Sequence, residues 1–107
     1  MKFLSKLNIF RLSHVEFTRT GQPKILGRYA VHFHMIGNAH DSYVNGIAVH
    51  HSFARVTTIH ATHYLRFTNN VGYAAVGHNV FLEDGIERHN HIEGNLIMSA
   101  REASFML

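Results

Sequence analysis

The chain contains no cysteine, a single proline at Pro23, and charged residues at only 16% of its positions. Without cysteine, neither a disulfide framework nor a thiolate zinc site can form, and the composition carries no mark of the redox compartment. One proline, with glycines that occur only singly, leaves no flexible linker to divide the chain. Long apolar runs are missing too: nothing approaches the roughly 20 residues that a membrane-spanning helix needs. Met1-Lys2-Phe3-Leu4 begins as a secretory leader would, but Ser5, Lys6 and Asn8 interrupt the run, so any export signal is expected outside this sequence. The formal charge of +3 comes from ten Lys/Arg set against seven Asp/Glu with no basic run, which argues against a nucleic-acid partner.

What is present is an apolar fraction of 46% in 107 residues, enough for one structural unit with a core and too much for a disordered tail. Eleven histidines are the unusual feature. They add positive charge as pH falls through about 6.5, so attraction to an acidic polymer should strengthen in acid.

Helical patterning is poor, whereas short runs rich in Val, Ile, Phe, Tyr and Thr recur between Gly and Asn and read as strands. The runs are Asn8 to Phe17, Tyr29 to Met35, Gly46 to His50, Val56 to Ala61, Tyr64 to Thr68, Val71 to Tyr73, Asn79 to Leu82 and His91 to Met98. Setting Val49 to Ile59 over Val71 to Phe81 aligns Val with Val and Ile with Phe at an offset of 22, and Asn69-Asn70-Val71 returns as Gly94-Asn95-Leu96 at 25. A period in the low twenties fits a solenoid whose coils each contribute short strands to parallel sheets, with asparagines laddering at the corners. A leucine-rich repeat lacks its consensus here. An antiparallel β-sandwich also recurs at short spacing, and His-x-His followed by a later Glu would suit a cupin-like double-sheet barrel, so both stay open at this point.

Four ordered blocks carry a family resemblance. They are Gly27-Arg28-Tyr29-Ala30-Val31-His32-Phe33-His34; Ser42-Tyr43-Val44 with Ile47 to Phe53; Thr58-Ile59-His60-Ala61-Thr62-His63; and Gly77 to Glu87, followed by Asn90 and Asn95-Leu96. Together they resemble the β-helical region of the cell-surface hyaluronidase, cell-migration-inducing hyaluronan-binding protein and fibrocystin family over residues 15–98. Ala30 stands where that family has proline, the cysteines of its animal members are missing, and residues 99–107 form a divergent tail. The resemblance implies a partial right-handed parallel β-helix of about three to four coils. It also implies an extracellular or cell-surface protein acting on an anionic polysaccharide such as hyaluronan, or a non-enzymatic receptor scaffold of the fibrocystin kind. Exposed coil ends would favour end-to-end self-association.

Strand alternation sets Val31, Phe33 and Met35 on one face and His32 and His34 on the other. With the apolar set inward, His32, His34, His60 and Glu83 are expected together on an outer, solvent-facing sheet, and Asp84 at the adjoining corner. Glycoside cleavage needs an acid–base pair of carboxyls, which histidines can assist, so Glu83, Asp84, His34 and His60 are the catalytic candidates; Glu87 and Asp41 are further carboxylates. Arg28 and Arg55 could fork onto a uronic-acid carboxylate, Tyr73 could stack on a sugar ring, and His32 is placed with them as a substrate contact. The histidines with Glu83 form a ligand set for zinc, and Glu83-Asp84 supplies oxygens for calcium, the metal favoured of the two on sequence alone. Glu83-Asp84-Gly85 also reads as a plain turn in which Asp84 bonds its own backbone.

Overall fold

The computed structural model describes residues 2–3 and 9–101. Most of the leader-like start, Asn8 at the head of the first predicted strand, and the tail beyond residue 101 lie outside the described residues. Twelve short strands follow one another: β1 (Lys2–Phe3), β2 (Arg11–Ser13), β3 (Glu16–Thr18), β4 (Val31–Asn38), β5 (Tyr43–Asn45), β6 (Ala48–His50), β7 (Thr57–His63), β8 (Arg66–Thr68), β9 (Val71–Tyr73), β10 (Val80–Leu82), β11 (His91–Glu93) and β12 (Leu96–Met98). Among the described residues there is no helix.

Every third strand joins the same sheet. The first sheet is β1-β4-β7-β10, the second β2-β5-β8-β11 and the third β3-β6-β9-β12, and all the pairings are parallel. The chain therefore visits three sheets in turn before returning one strand further along. This excludes both the antiparallel sandwich and the cupin-like barrel.

The offset of 22 read from the sequence is short by one, because Val71 lies beside Ala48 and Val49 lies beside Gly72. Matching Val with Val set an inward residue over an outward one, and a slip of one position exchanges the faces of a strand. The offset of 25 is correct, since β9 and β12 pair Val71 with Leu96. Tyr43–Asn45 is a strand that its flanking Asn and Gly concealed, and the first and last predicted strands are each two strands separated by a corner.

Those corners have a common form. The residue following each second-sheet strand is left-handed, at His14 (φ 56°), Gly46 (φ 73°), Asn69 (φ 56°) and Gly94 (φ 70°). One further residue leads into the third sheet. Asparagines then fasten one pass to the next: Asn70 Oδ1 accepts the Ile47 N–H at 2.9 Å while its Nδ2 donates to the Val44 carbonyl at 3.1 Å. Asn95 repeats this on Asn70 N–H and the Phe67 carbonyl, as Asn90 does on Leu65 N–H and the Thr62 carbonyl. A buried amide with both ends satisfied suits a place where the turning backbone has left its ladder.

Apolar side chains stack between the sheets in columns set by register. Leu12, Val44, Phe67 and Ile92 form one column, Phe17, Val49, Gly72 and Ile97 a second, and Phe33, Ile59 and Leu82 a third. Val44, Val49 and Ile59 are at most 1% exposed, and burying a side chain of this size contributes about 1.5–3 kcal/mol.

Candidate functional site

The first sheet carries the candidate site. Register places His32 beside Thr58 and His34 beside His60, with Phe33 and Ile59 turned to the core between them. Alternation thus orients the strand as expected, but solvent does not reach the whole outward face. His32 is 2% exposed, because its Nδ1 bonds the Gly27 carbonyl at 3.0 Å and Tyr29 lies 5.1 Å away ring to ring. Arg55 completes this roof, donating to Tyr29 Oη at 2.9 Å with its guanidinium 4.1 Å from the Phe81 ring. The residue pattern of a strand says which side a histidine takes and is silent about the segment that closes over it.

Immediately after His34 and His60 the backbone turns left-handed, at Met35 (φ 54°) and Ala61 (φ 45°), and the register shifts between His34 and Gly37. Such bulges re-aim side chains. Here the His34 and His60 rings stand 5.0 Å apart, with their Nδ1 atoms at 3.2 Å. His60 is held from both edges, by Glu83 Oε2 at 2.7 Å from Nδ1 and by Asp84 Oδ2 at 2.8 Å from Nε2. One ring nitrogen from each of His32, His34 and His60 lies within 4.8 Å of the others.

Glu87 organises the corner that delivers the two acids. Its Oε2 accepts the Ala61 N–H at 2.8 Å and its Oε1 accepts the amides of Gly85 at 3.0 Å and Asp84 at 3.3 Å. Partial burial works against its charge, but these backbone donors outweigh it and hold the carboxyl below its ordinary value. The predicted turn at Glu83-Asp84-Gly85 therefore exists, with Gly85 at φ 73°, but Glu87 caps it and the Asp84 carboxylate goes to His60.

The structure thus brings together His32, His34, His60, Glu83 and Asp84, with Arg55 in the adjoining roof. Arg28 is exposed in the segment that forms that roof. Tyr73 belongs to the third sheet, stacked on His50 at 4.8 Å, and Asp41 pairs with His40 at 3.1 Å; neither is part of the patch. Sequence reasoning missed a cationic column on the second sheet, where Arg11, Tyr43, Arg66 and His91 follow in register. Both guanidiniums lie 5.9 Å from the Tyr43 ring, beside an open groove of about 380 Å³ lined by Ser13, His14, Tyr43, Asn45, Arg66 and Thr68. Correct registration of the passes is the signal that would have found it.

Fold and site define an all-β protein of three parallel sheets bearing a histidine–carboxylate patch on one outer face. The family model described as CEMIP beta-helix matches residues 1–107, and the chain belongs to that family. It is 37% identical to the cell surface hyaluronidase of Danio rerio, over 99% of this chain and 8% of that protein. It is 42% identical to the cell surface hyaluronidase CEMIP2 of Homo sapiens, over 79% of this chain and 7% of that one. Fibrocystin-L of Mus musculus is 40% identical over 91% of this chain and 2% of its own length. The chain thus spans less than a tenth of each of these relatives.

Proposed function

We propose that the chain is a stretch of right-handed parallel β-helix, three to four coils long, from an extracellular protein that binds or depolymerises an anionic glycan such as hyaluronan. The observation that carries this reading is His60 gripped between Glu83 and Asp84, with His34 beside it, in a chain whose relatives include proteins named cell surface hyaluronidase. The visit to three sheets in rotation supports the helix.

Glycoside cleavage requires one group to protonate the departing oxygen and another to activate water or attack the sugar. In this reading Glu83 and Asp84 supply the carboxyls, and His60, touching both, passes the proton between them. Arg28 contacts sugar beside the patch, and on the second sheet the column of Arg11, Tyr43 and Arg66 offers a separate contact, two cations around an aromatic face suited to an acidic saccharide. His32, buried, and Arg55, in the roof over it, hold the neighbouring surface in place. A second reading, a non-enzymatic receptor scaffold, draws on the likeness to Fibrocystin-L, whose name states no activity.

Incubating the protein with high-molecular-mass hyaluronan and following chain length by light scattering tests both. Shortening that Glu83→Gln and His60→Ala abolish, with folding intact, supports the enzyme. Retention on a hyaluronan matrix without shortening supports the scaffold. Neither retention nor shortening would overturn the glycan reading.

A further inference from the structure

The tautomer of His32 and the orientation of His60 can be read from their partners. The Gly27 carbonyl can only accept, so the His32 Nδ1 it bonds carries the proton, and in the neutral ring Nε2 presents its lone pair. The Asp84 carboxylate takes a proton from His60 Nε2, while His60 Nδ1 meets Glu83 Oε2, so an ion bound there would take the place of the proton between them. Histidines that bind metals are oriented in this way, with the far ring nitrogen donating to a backbone carbonyl or a carboxylate.

That His60 Nδ1 faces His34 Nδ1 at 3.2 Å and Glu83 Oε2 at 2.7 Å. Around an ion bound tetrahedrally at about 2.0–2.1 Å, neighbouring donors stand about 3.3 Å apart. Two of the nitrogens already meet that spacing, and the third histidine lies within the 4.8 Å that spans the group. We propose that His32 Nε2, His34 Nδ1 and His60 Nδ1 form a binding site for a divalent transition ion of the zinc type, which Glu83 Oε2, now on His60 Nδ1, turns to complete, with Gly27 and Asp84 fixing the ligand rings.

The donor set decides between metals. Calcium takes six to eight oxygens, whereas here three of four donors are imidazole nitrogens and both carboxylates turn to His60 instead of framing a common oxygen cage. Imidazole suits zinc and its neighbours, which reverses the preference drawn from sequence. The left-handed residues Met35 and Ala61, at the register shift between His34 and Gly37, bend the strands where the rings must converge. The ion would occupy the place of the proton between His60 and Glu83, so a loaded site and the proton transfer proposed above exclude one another, and the test of the site uses no glycan.

The protein is titrated with Zn²⁺ by calorimetry and with Co²⁺ by visible absorption, in the presence and absence of excess Ca²⁺. One tight equivalent is expected, together with a low-symmetry cobalt spectrum and no displacement by calcium. His34→Ala and His60→Ala should each weaken that equivalent by at least about 100-fold, and Asp84→Asn by about 10–100-fold with the cobalt spectrum retained. Thermal unfolding without metal establishes that each variant is folded; His32→Ala is avoided because the ring is buried. His50 and His51, whose Nδ1 atoms lie 2.6 Å apart on the third sheet, are the competing surface pair, and His51→Ala should leave the tight equivalent in place. Zinc affinity unchanged in folded His34→Ala and His60→Ala, or lost in His51→Ala, would overturn the site, as would calcium displacing the cobalt.

Discussion

The Glu87 carboxylate accepts the backbone N–H of Ala61, the residue after His60, at 2.8 Å from a position 26 residues further along the chain. The same carboxylate gathers the Asp84 and Gly85 amides. It thereby anchors the bulge that aims His60 and the turn that carries Glu83 and Asp84.

A pH dependence follows from this arrangement. Glu87 has a folded pKa below its ordinary 4.5, as the amides outweigh the opposing effect of burial. Its unfolded form therefore takes up a proton first as pH falls. The stabilisation is fully present above the ordinary carboxylate range and is lost as pH drops through the lowered folded value. Chemical denaturation at a series of pH values should show Glu87→Gln less stable than the parent at neutrality, with the difference shrinking in acid. A constant difference at all pH values would show that the charge contributes nothing.

Asn70 should be among the most sensitive corner positions. Its buried amide satisfies the Ile47 N–H and the Val44 carbonyl of the preceding pass. Asn70→Ala strands both groups away from water, at a cost of about 2–4 kcal/mol. Asn69→Ala, at an exposed site one residue earlier, removes a surface bond to Asn45 and a residue tolerant of left-handed backbone, for about 1 kcal/mol. Urea unfolding of the two variants should rank them in that order.

Thr57 presents the opposite case. It is fully buried between Val31 and Val80 in the inward register, and its hydroxyl has no hydrogen-bond partner among the described residues. Valine has nearly the same shape and needs no partner, so Thr57→Val should raise stability by about 1 kcal/mol. The thermal midpoint reads this directly, and a fall would mean that the hydroxyl is satisfied in solution.

Ala74 follows β9 with φ 52°, a conformation in which Cβ crowds the carbonyl. Ala74→Gly relieves this, partly offset by the freer unfolded glycine, for a net gain of about 0.5 kcal/mol. Equilibrium denaturation should show it, whereas an ordinary alanine position would lose stability.

Much of this architecture was legible because β-runs and Asn/Gly punctuation recur along the chain, and alternation alone put His32 and His34 on one face with Phe33 on the other. The 25-residue offset was readable because Asn70 and Asn95 perform the same clamping task. The other offset misled because it compared Val49 with Val71 by likeness and ignored the face each takes. The patch of His34, His60 and Glu83 could be anticipated from strand alternation, since His34 and His60 are neighbours on one sheet and Glu83 directly follows the strand beside them. The burial of His32 could not, as it depends on Gly27, Tyr29 and Arg55 closing over the strand. The Arg11, Tyr43 and Arg66 column was invisible for a related reason: its members are far apart in sequence, and β5 had not been recognised as a strand.

The columns also say what the pass formed by β11 and β12 requires. Val44 is 0% and Phe67 3% exposed, but the next member of their column, Ile92, is 41% exposed; in the neighbouring column Val49 is 1% and Ile97 46% exposed. These inward residues in β11 and β12 are chemically core and physically bare. Among the described residues no further strand pairs with β11 or β12, and an edge with bare apolar side chains is a template for pairing with another strand, that of a second copy included. Sedimentation velocity should therefore show concentration-dependent self-association at neutral pH. Ile92→Lys combined with Ile97→Lys should suppress it by placing two charges on that edge, at little cost to folding because both sites are already exposed. If the double variant associates as the parent does, the contact lies elsewhere; Leu12, a partly buried member of the same column toward its opposite end, would be the next position to charge.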